Sequence, residues 1–291
     1  MKTIRLFLLA VVAAVVTSCG TSSTVPLTGR KQSLLVSDAQ VNSLALQQYQ
    51  QYMSSAKAST NATNTAMVKR VGQNLAHAVT NYLNQNGLAD DAKQYSWEFN
   101  LVQDKQVNAW CMPGGKIVVY EGLLPVTQDE GSLAIVLGHE IAHAVAKHSA
   151  ERLSNEYKKQ MGSQIIGAVL GAASETTQQL AAIVQSVGGQ LWTSGFSRSQ
   201  ESEADHMGLI FAAMAGYDPQ VATTFWQRMA AQGSGSSSLF SDHPSDATRI
   251  KQIQGWMPEA LKYYKGGSSA SSSATSAPKT GATFHIGSKK K

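Results

Sequence analysis

Two histidines four residues apart, with a glutamate beside the first, stand at His139-Glu140-Ile141-Ala142-His143. On a helix that spacing puts both imidazoles on one face, about 40° apart, so both reach a single metal ion. Glu140 is then placed to take a proton from water that the metal activates. Catalytic zinc keeps three protein ligands and one open position, so a third ligand is required. Downstream, Ser197-Arg198-Ser199-Gln200-Glu201-Ser202-Glu203-Ala204-Asp205 supplies carboxylates. Glu201 and Asp205 share a helix face there, and Glu203 points elsewhere. Glu201 is the better ligand, and Asp205 is placed to accept the far ring N–H of a ligand histidine, His139 before His143. The plainer reading of this stretch is a solvated acidic face. The plainer reading of the first is a buried helix with two satisfied histidines, which leaves a charged Glu140 in need of a partner.

The helix that must carry the pair extends from about Gln128 to His148 without proline. Thr127-x-x-Glu130 reads as its capping box, and Leu133, Val136, Leu137, Ile141, Ala144 and Val145 recur at helical spacing. Upstream, Ser37-x-x-Gln40 caps a helix to about Ala56. A second helix shows Met67, Val68, Val71, Leu75, Val79 and Tyr82 on one face and stops near Gly87. Tyr95, Trp97, Phe99 and Leu101 alternate as in a half-buried strand, and two more strands, Val107 to Met112 and Lys116 to Tyr120, flank Pro113-Gly114-Gly115. Residues 150–195 read as a helical insertion. Glu175, Gln178 and Gln179 interrupt it too often for a membrane span, so it packs over the site or against a partner. Asp218-Pro219 starts a further helix to about Gln232, and a Gly/Ser-rich loop leads to His243-Pro244. His77, His148, His206 and His285 read as non-ligands.

H-E-x-x-H followed by Arg198-x-x-Glu201-x-x-Ala204-Asp205 resembles the HtpX and CAAX-prenyl-protease type of zinc metallopeptidase. Asn108-Ala109-Trp110-Cys111-Met112-Pro113-Gly114-Gly115-Lys116-Ile117, Gly122-Leu123-Leu124, His243-Pro244 and Arg249 match as well. Its soluble branch, the BepA-like, LoiP-like and mitochondrial Oma-type proteases, is the nearer comparison, and the similarity covers roughly residues 25–260. The resemblance implies an α+β fold: a mainly helical gluzincin domain with a small antiparallel-containing sheet beside the active-site helix. It implies one catalytic Zn2+ and cleavage of misfolded or misassembled cell-envelope proteins. It implies that Gly115, Lys116, Ile117, Val118 and Val119 border the cleft and exchange backbone bonds with extended substrate, the alternative being a plain hairpin. It also implies His243 and Arg249 as donors to the tetrahedral oxyanion. His243 has a second role open to it, as a plug in the fourth zinc position, and Arg249 a second as a structural ion pair. A holdase that binds without cutting has no use for a base at Glu140, and a structural zinc module is closed and thiolate-rich.

The start of the chain reads as a lipoprotein signal over residues 1–18, with Lys2 and Arg5 before an apolar run and Val16-Thr17-Ser18-Cys19 as a lipobox. Cys19 is then the lipid anchor, and the absence of Asp after it favours the outer membrane, facing the periplasm. Cys111 is the one other cysteine and reads as a small buried strand residue. A linker fills residues 19–36, the enzyme domain 37–265 and a disordered Ser/Gly/Lys tail 266–291. The formal charge of +5 falls to +3 without the two basic residues of the signal, and to −1 without the four lysines of the tail. The body is therefore not basic, and a nucleic-acid partner has no footprint. Polypeptide substrates and the membrane are the expected partners, with envelope assembly machinery left open.

Overall fold

Two Ser-x-x-Gln tetrads, at Ser37 and Ser197, each close a reciprocal capping box and fix where a helix starts. The computed structural model describes residues 21–164, 173–188, 190–193, 195–231 and 248–266. Cys19, His243 and most of the tail lie outside the described residues. The chain opens on a hairpin, β1 (Thr21–Thr24) and β2 (Lys31–Leu34), then helices α1 (Asp38–Ser55) and α2 (Ala62–Gln85). Strands β3 (Glu98–Val102), β4 (Ala109–Met112) and β5 (Lys116–Tyr120) follow. Next come α3 (Glu130–Val145), α4 (His148–Gln164), α5 (Ala173–Val187), α6 (Arg198–Met214), α7 (Val221–Ala231) and α8 (Arg249–Tyr263). The architecture is the mainly helical α+β one expected.

The sheet has the order β3-β5-β4, with β5 parallel to β3 and antiparallel to β4. A continuous apolar run such as Ile117-Val118-Val119 suits a strand covered on both faces. Ile117 and Val119 enter one core with Phe99, Cys111 and α2 and α3; Val118 enters a second with Trp110, Leu153 and Leu180. This placement corrects the expectation for Gly115, Lys116, Ile117, Val118 and Val119. Both edges of β5 are already occupied by neighbouring strands, so it has no free backbone row to offer a substrate. The hairpin turn itself is as read: Gly114 and Gly115 both take φ +83°, open to glycine and strained for other residues. Tyr95 and Trp97 precede β3 and stack on each other at 4.6 Å.

The long buried helix differs at both ends from its sequence signals. Asp129, and not Thr127, is the N-cap, accepting from the Ser132 amide at 2.6 Å, because Thr127 still belongs to a preceding turn and bonds back to Leu124. At the other end α3 stops at Val145. Lys147 is left-handed, with φ +56°, and α4 begins at His148. That conformation costs a non-glycine residue about 1–2 kcal/mol. Ion pairs from Lys147 Nζ to Asp38 and Asp91, each 2.7 Å, hold it there. Residues 150–195 are mainly helical where described, and Trp192 and α5 pack on the second core. Among the described residues no helix is long and apolar enough to cross a membrane.

Candidate metal centre

Helices α3 and α6 cross with almost no space between them. A Cβ on Gly138 would come within 2.6 Å of the Gly208 carbonyl oxygen, and one on Gly208 within 2.6 Å of the His139 amide nitrogen. Side chains one and two turns before the crossing on α6, Asp205 and Glu201, are thereby delivered onto the H-E-x-x-H face of α3. The Nε2 atoms of His139 and His143 face each other at 3.0 Å. Glu201 reaches His139 Nε2 at 3.4 Å through Oε2 and His143 Nε2 at 3.6 Å through Oε1. These three residues offer ligand atoms within 4.8 Å of one another, and all are buried. Glu140, on the same turn of α3, is 2% exposed.

Behind His139 the ring Nδ1 meets Asp205 Oδ1 at 2.9 Å. Asp205 is gripped in turn by Arg249, whose Nε and Nη2 donate to its two oxygens at 2.6 and 2.9 Å. The Arg249 guanidinium lies 3.7 Å over the Trp226 ring and 3.6 Å from Glu201. The structure therefore places Arg249 behind the histidines, as a buried ion pair, rather than out on a substrate face. A buried carboxylate would have its pKa raised by desolvation, but the Arg249 charge and the His139 bond hold Asp205 below the usual range.

Behind His143 the arrangement is different, and the sequence does not announce it. His143 Nδ1 meets Nδ1 of His148 at 2.8 Å, and His148 Nε2 meets Glu203 Oε2 at 2.9 Å. Glu203 also accepts from the Thr28 hydroxyl at 2.5 Å and from Arg30 Nε at 2.8 Å. Arg30 is bidentate on Glu151, at 2.9 and 3.0 Å. Glu203 points away from the ligand face, as its helical position requires, but its partner His148 reads in the sequence as one non-ligand histidine among several. A cue exists in the apolar helix just before it, since a histidine buried beside such a run needs a polar partner. His206 pairs with Glu259 at the surface side and stacks on Trp256.

The donor set fits a divalent cation. Ionised, Glu140, Glu201 and Asp205 place three negative charges in one buried cluster, against the one fixed positive charge of Arg249. Two imidazoles and a carboxylate are the ligand types zinc takes in catalytic sites. Burial alone would lower the His139 pKa, yet Asp205 and Glu201 raise it to about 10. The two carboxylates thus favour positive charge beside that ring. Cys111 sits nearby, and burial, followed by the Glu140 carboxylate, pushes its thiol well up. It is a packing residue rather than a reactive thiol.

Known proteins are similar to this chain in sequence. The Schizosaccharomyces pombe protein named mitochondrial metalloendopeptidase OMA1 is 41% identical over 168 residues, covering 56% of this chain and 48% of that protein. The human metalloendopeptidase OMA1, mitochondrial, is 30% identical over 246 residues, 81% of this chain and 46% of its own length. The Escherichia coli beta-barrel assembly-enhancing protease is 26% identical over 183 residues, 59% of this chain and 37% of that protein. The chain thus spans half or less of each of these three proteins. The family model for peptidase family M48 matches residues 62–257, which contain α3, α6 and every residue of the candidate metal group, and the chain belongs to that family.

Proposed function

We propose that the chain is a zinc-dependent endopeptidase that cleaves misfolded or misassembled polypeptides of the cell envelope. The observation that carries this is the convergence of His139, His143 and Glu201 on one buried point, with Glu140 on the same helical turn. His139, His143 and Glu201 would hold the ion, which supplies Lewis acidity that acidifies water and polarises a peptide carbonyl. Glu140 takes the proton of the attacking water and hands it to the departing amine. Asp205, fixed by Arg249, holds the His139 ring so that Nε2 faces the ligand point. The walls screen the site from bulk solvent, since both histidines and both glutamates are buried, and Phe196 stacks on His143 at 4.1 Å.

An extended substrate would add to a strand edge beside α3. Of the three strands of this sheet, β4 packs on α3 and, among the described residues, pairs only with β5, so the substrate strand is better sought at Ala109–Met112 than at residues 115–119. His143 lines a small cleft with Tyr95, Pro113 and Gly114, which puts the glycine turn at the approach. The envelope setting rests on the lipobox ending at Cys19 and on the name of the Escherichia coli relative.

Casein cleavage by the purified protein tests the core of this reading. Chelation should stop it, zinc should restore it, and Cys19→Ala should release the protein from the membrane fraction. Cleavage that survives complete metal removal would overturn the assignment.

A further inference from the structure

The left-handed Lys147 has a purpose at the metal site. On an unbroken helix five residues rotate a side chain by about 140°. His148 would then point away from His143. The break between α3 and α4 swings it back, so that the two Nδ1 atoms meet at 2.8 Å with both rings buried. We propose that His148 is a positioning residue for the ligand His143, held by Glu203 and, through Glu203, by Thr28 and Arg30 of the N-terminal hairpin. This rests on the ligand set given above.

The protons of the relay are fixed by its ends. His143 turns Nε2 to His139 and Glu201, so that nitrogen must keep its lone pair to bind a metal. The ring proton of neutral His143 is then on Nδ1 and is donated to His148 Nδ1. His148 accordingly carries its own proton on Nε2 and donates it to Glu203, 2.9 Å away. Each ring nitrogen in the line is thereby given a donor, acceptor or ligand role, and the line meets a carboxylate at Glu203. The effect is that of a carboxylate–histidine–metal arrangement with one imidazole spliced in. The β1–β2 hairpin thereby becomes part of the support of a ligand more than a hundred residues away, through contacts to Glu203 that span 175 and 173 residues.

The test begins with the zinc-loaded protein, labelled with 15N at histidine and read by long-range 15N–1H correlation. His143 should be protonated at Nδ1 and His148 at Nε2 alone. A proton on Nδ1 of His148 would overturn the relay. Zinc affinity is then measured by competition with a chromophoric chelator, and ligand geometry by the visible spectrum of the cobalt-substituted protein. His148→Phe keeps a ring in place and removes both nitrogens, and zinc should bind about 10–100-fold more weakly, with an altered cobalt spectrum. Glu203→Gln keeps an acceptor but drops the charge, and should weaken zinc by less. If His148→Phe does not fold, Glu203→Gln decides the question. Full affinity with an unaltered cobalt spectrum, in whichever variant folds, would reduce the cluster to packing. Glu201→Ala separates the two ideas: if it keeps full zinc affinity the ligand set is wrong, whereas if it alone loses zinc the ligands stand and the relay falls.

Discussion

His139 and His143 sit one turn apart on one helix, yet their outer nitrogens are held by unlike devices. His139 meets a carboxylate directly, and that carboxylate is locked by Arg249, at 6% side-chain exposure, within the interior. His143 reaches its carboxylate only through a second imidazole, and that line ends on Arg30, whose side chain is 33% exposed. One arm is wholly internal and built from elements after the metal helix. The other extends out to the first hairpin of the described chain. A direct, desolvated carboxylate makes its histidine a stronger base than one relayed through a neutral ring. The two arms therefore divide the work. On the proposed ligand set, the inner one would set ligand strength, and the outer one would set orientation while tying the site to a surface element.

The contrast between the arms can be tested from several sides. The largest effect should come from a residue in neither arm: Glu140→Gln should cut peptide hydrolysis by about 10²–10⁴-fold while zinc content stays full, checked by turnover and metal analysis. Near wild-type turnover would take the base out of the mechanism. Next is Asp205→Ala, which removes the inner lock and strands the buried Arg249 charge. Breaking such a pair costs about 3–5 kcal/mol, so denaturant unfolding of the metal-free protein should show a large loss, with zinc affinity down about 10–100-fold. A change no greater than that of an exposed substitution would remove the distinction between inner and outer arms.

The outer arm should announce itself in acid. Burial works to raise the Glu203 pKa, but bonds from His148, Thr28 and Arg30 outweigh it and bring it from 4.5 to about 2. A lowered carboxylate pKa adds stability that is complete above the unfolded value and drains away as pH falls through the folded one. Metal-free protein should thus lose stability between about pH 4.5 and 2, and Glu203→Gln should flatten that slope. Equal slopes would mean that Glu203 is not bonded as described. The smallest effect belongs to Arg30→Met. This half-exposed end should cost at most about 1 kcal/mol, and less in high salt, because solvent screens it.

What the sequence makes legible is whatever depends on local periodicity. The four-residue spacings of His139 with His143 and of Glu201 with Asp205 define helix faces whatever the rest of the chain does, and the structure brings all four together. The Ser37 box is equally local. Three other features are tertiary. The position of β5 between two strands follows from its parallel pairing with the earlier β3, which Lys116–Tyr120 alone does not encode. Arg249 turns inward because Trp226 and Asp205 await it from two other helices. His148 meets His143 only because Lys147 adopts a conformation that nothing in its own neighbourhood demands, and that Asp38 and Asp91 impose from afar.

The Arg249–Asp205 lock closes across 44 residues of chain. A chain in which only α3 and α6 have packed holds every candidate ligand, but not the cation that fixes Asp205. Until α8 docks, that aspartate lacks its counter-charge and His139 lacks a settled partner. Firm metal binding by the proposed ligands would thereby wait on a helix that carries none of them.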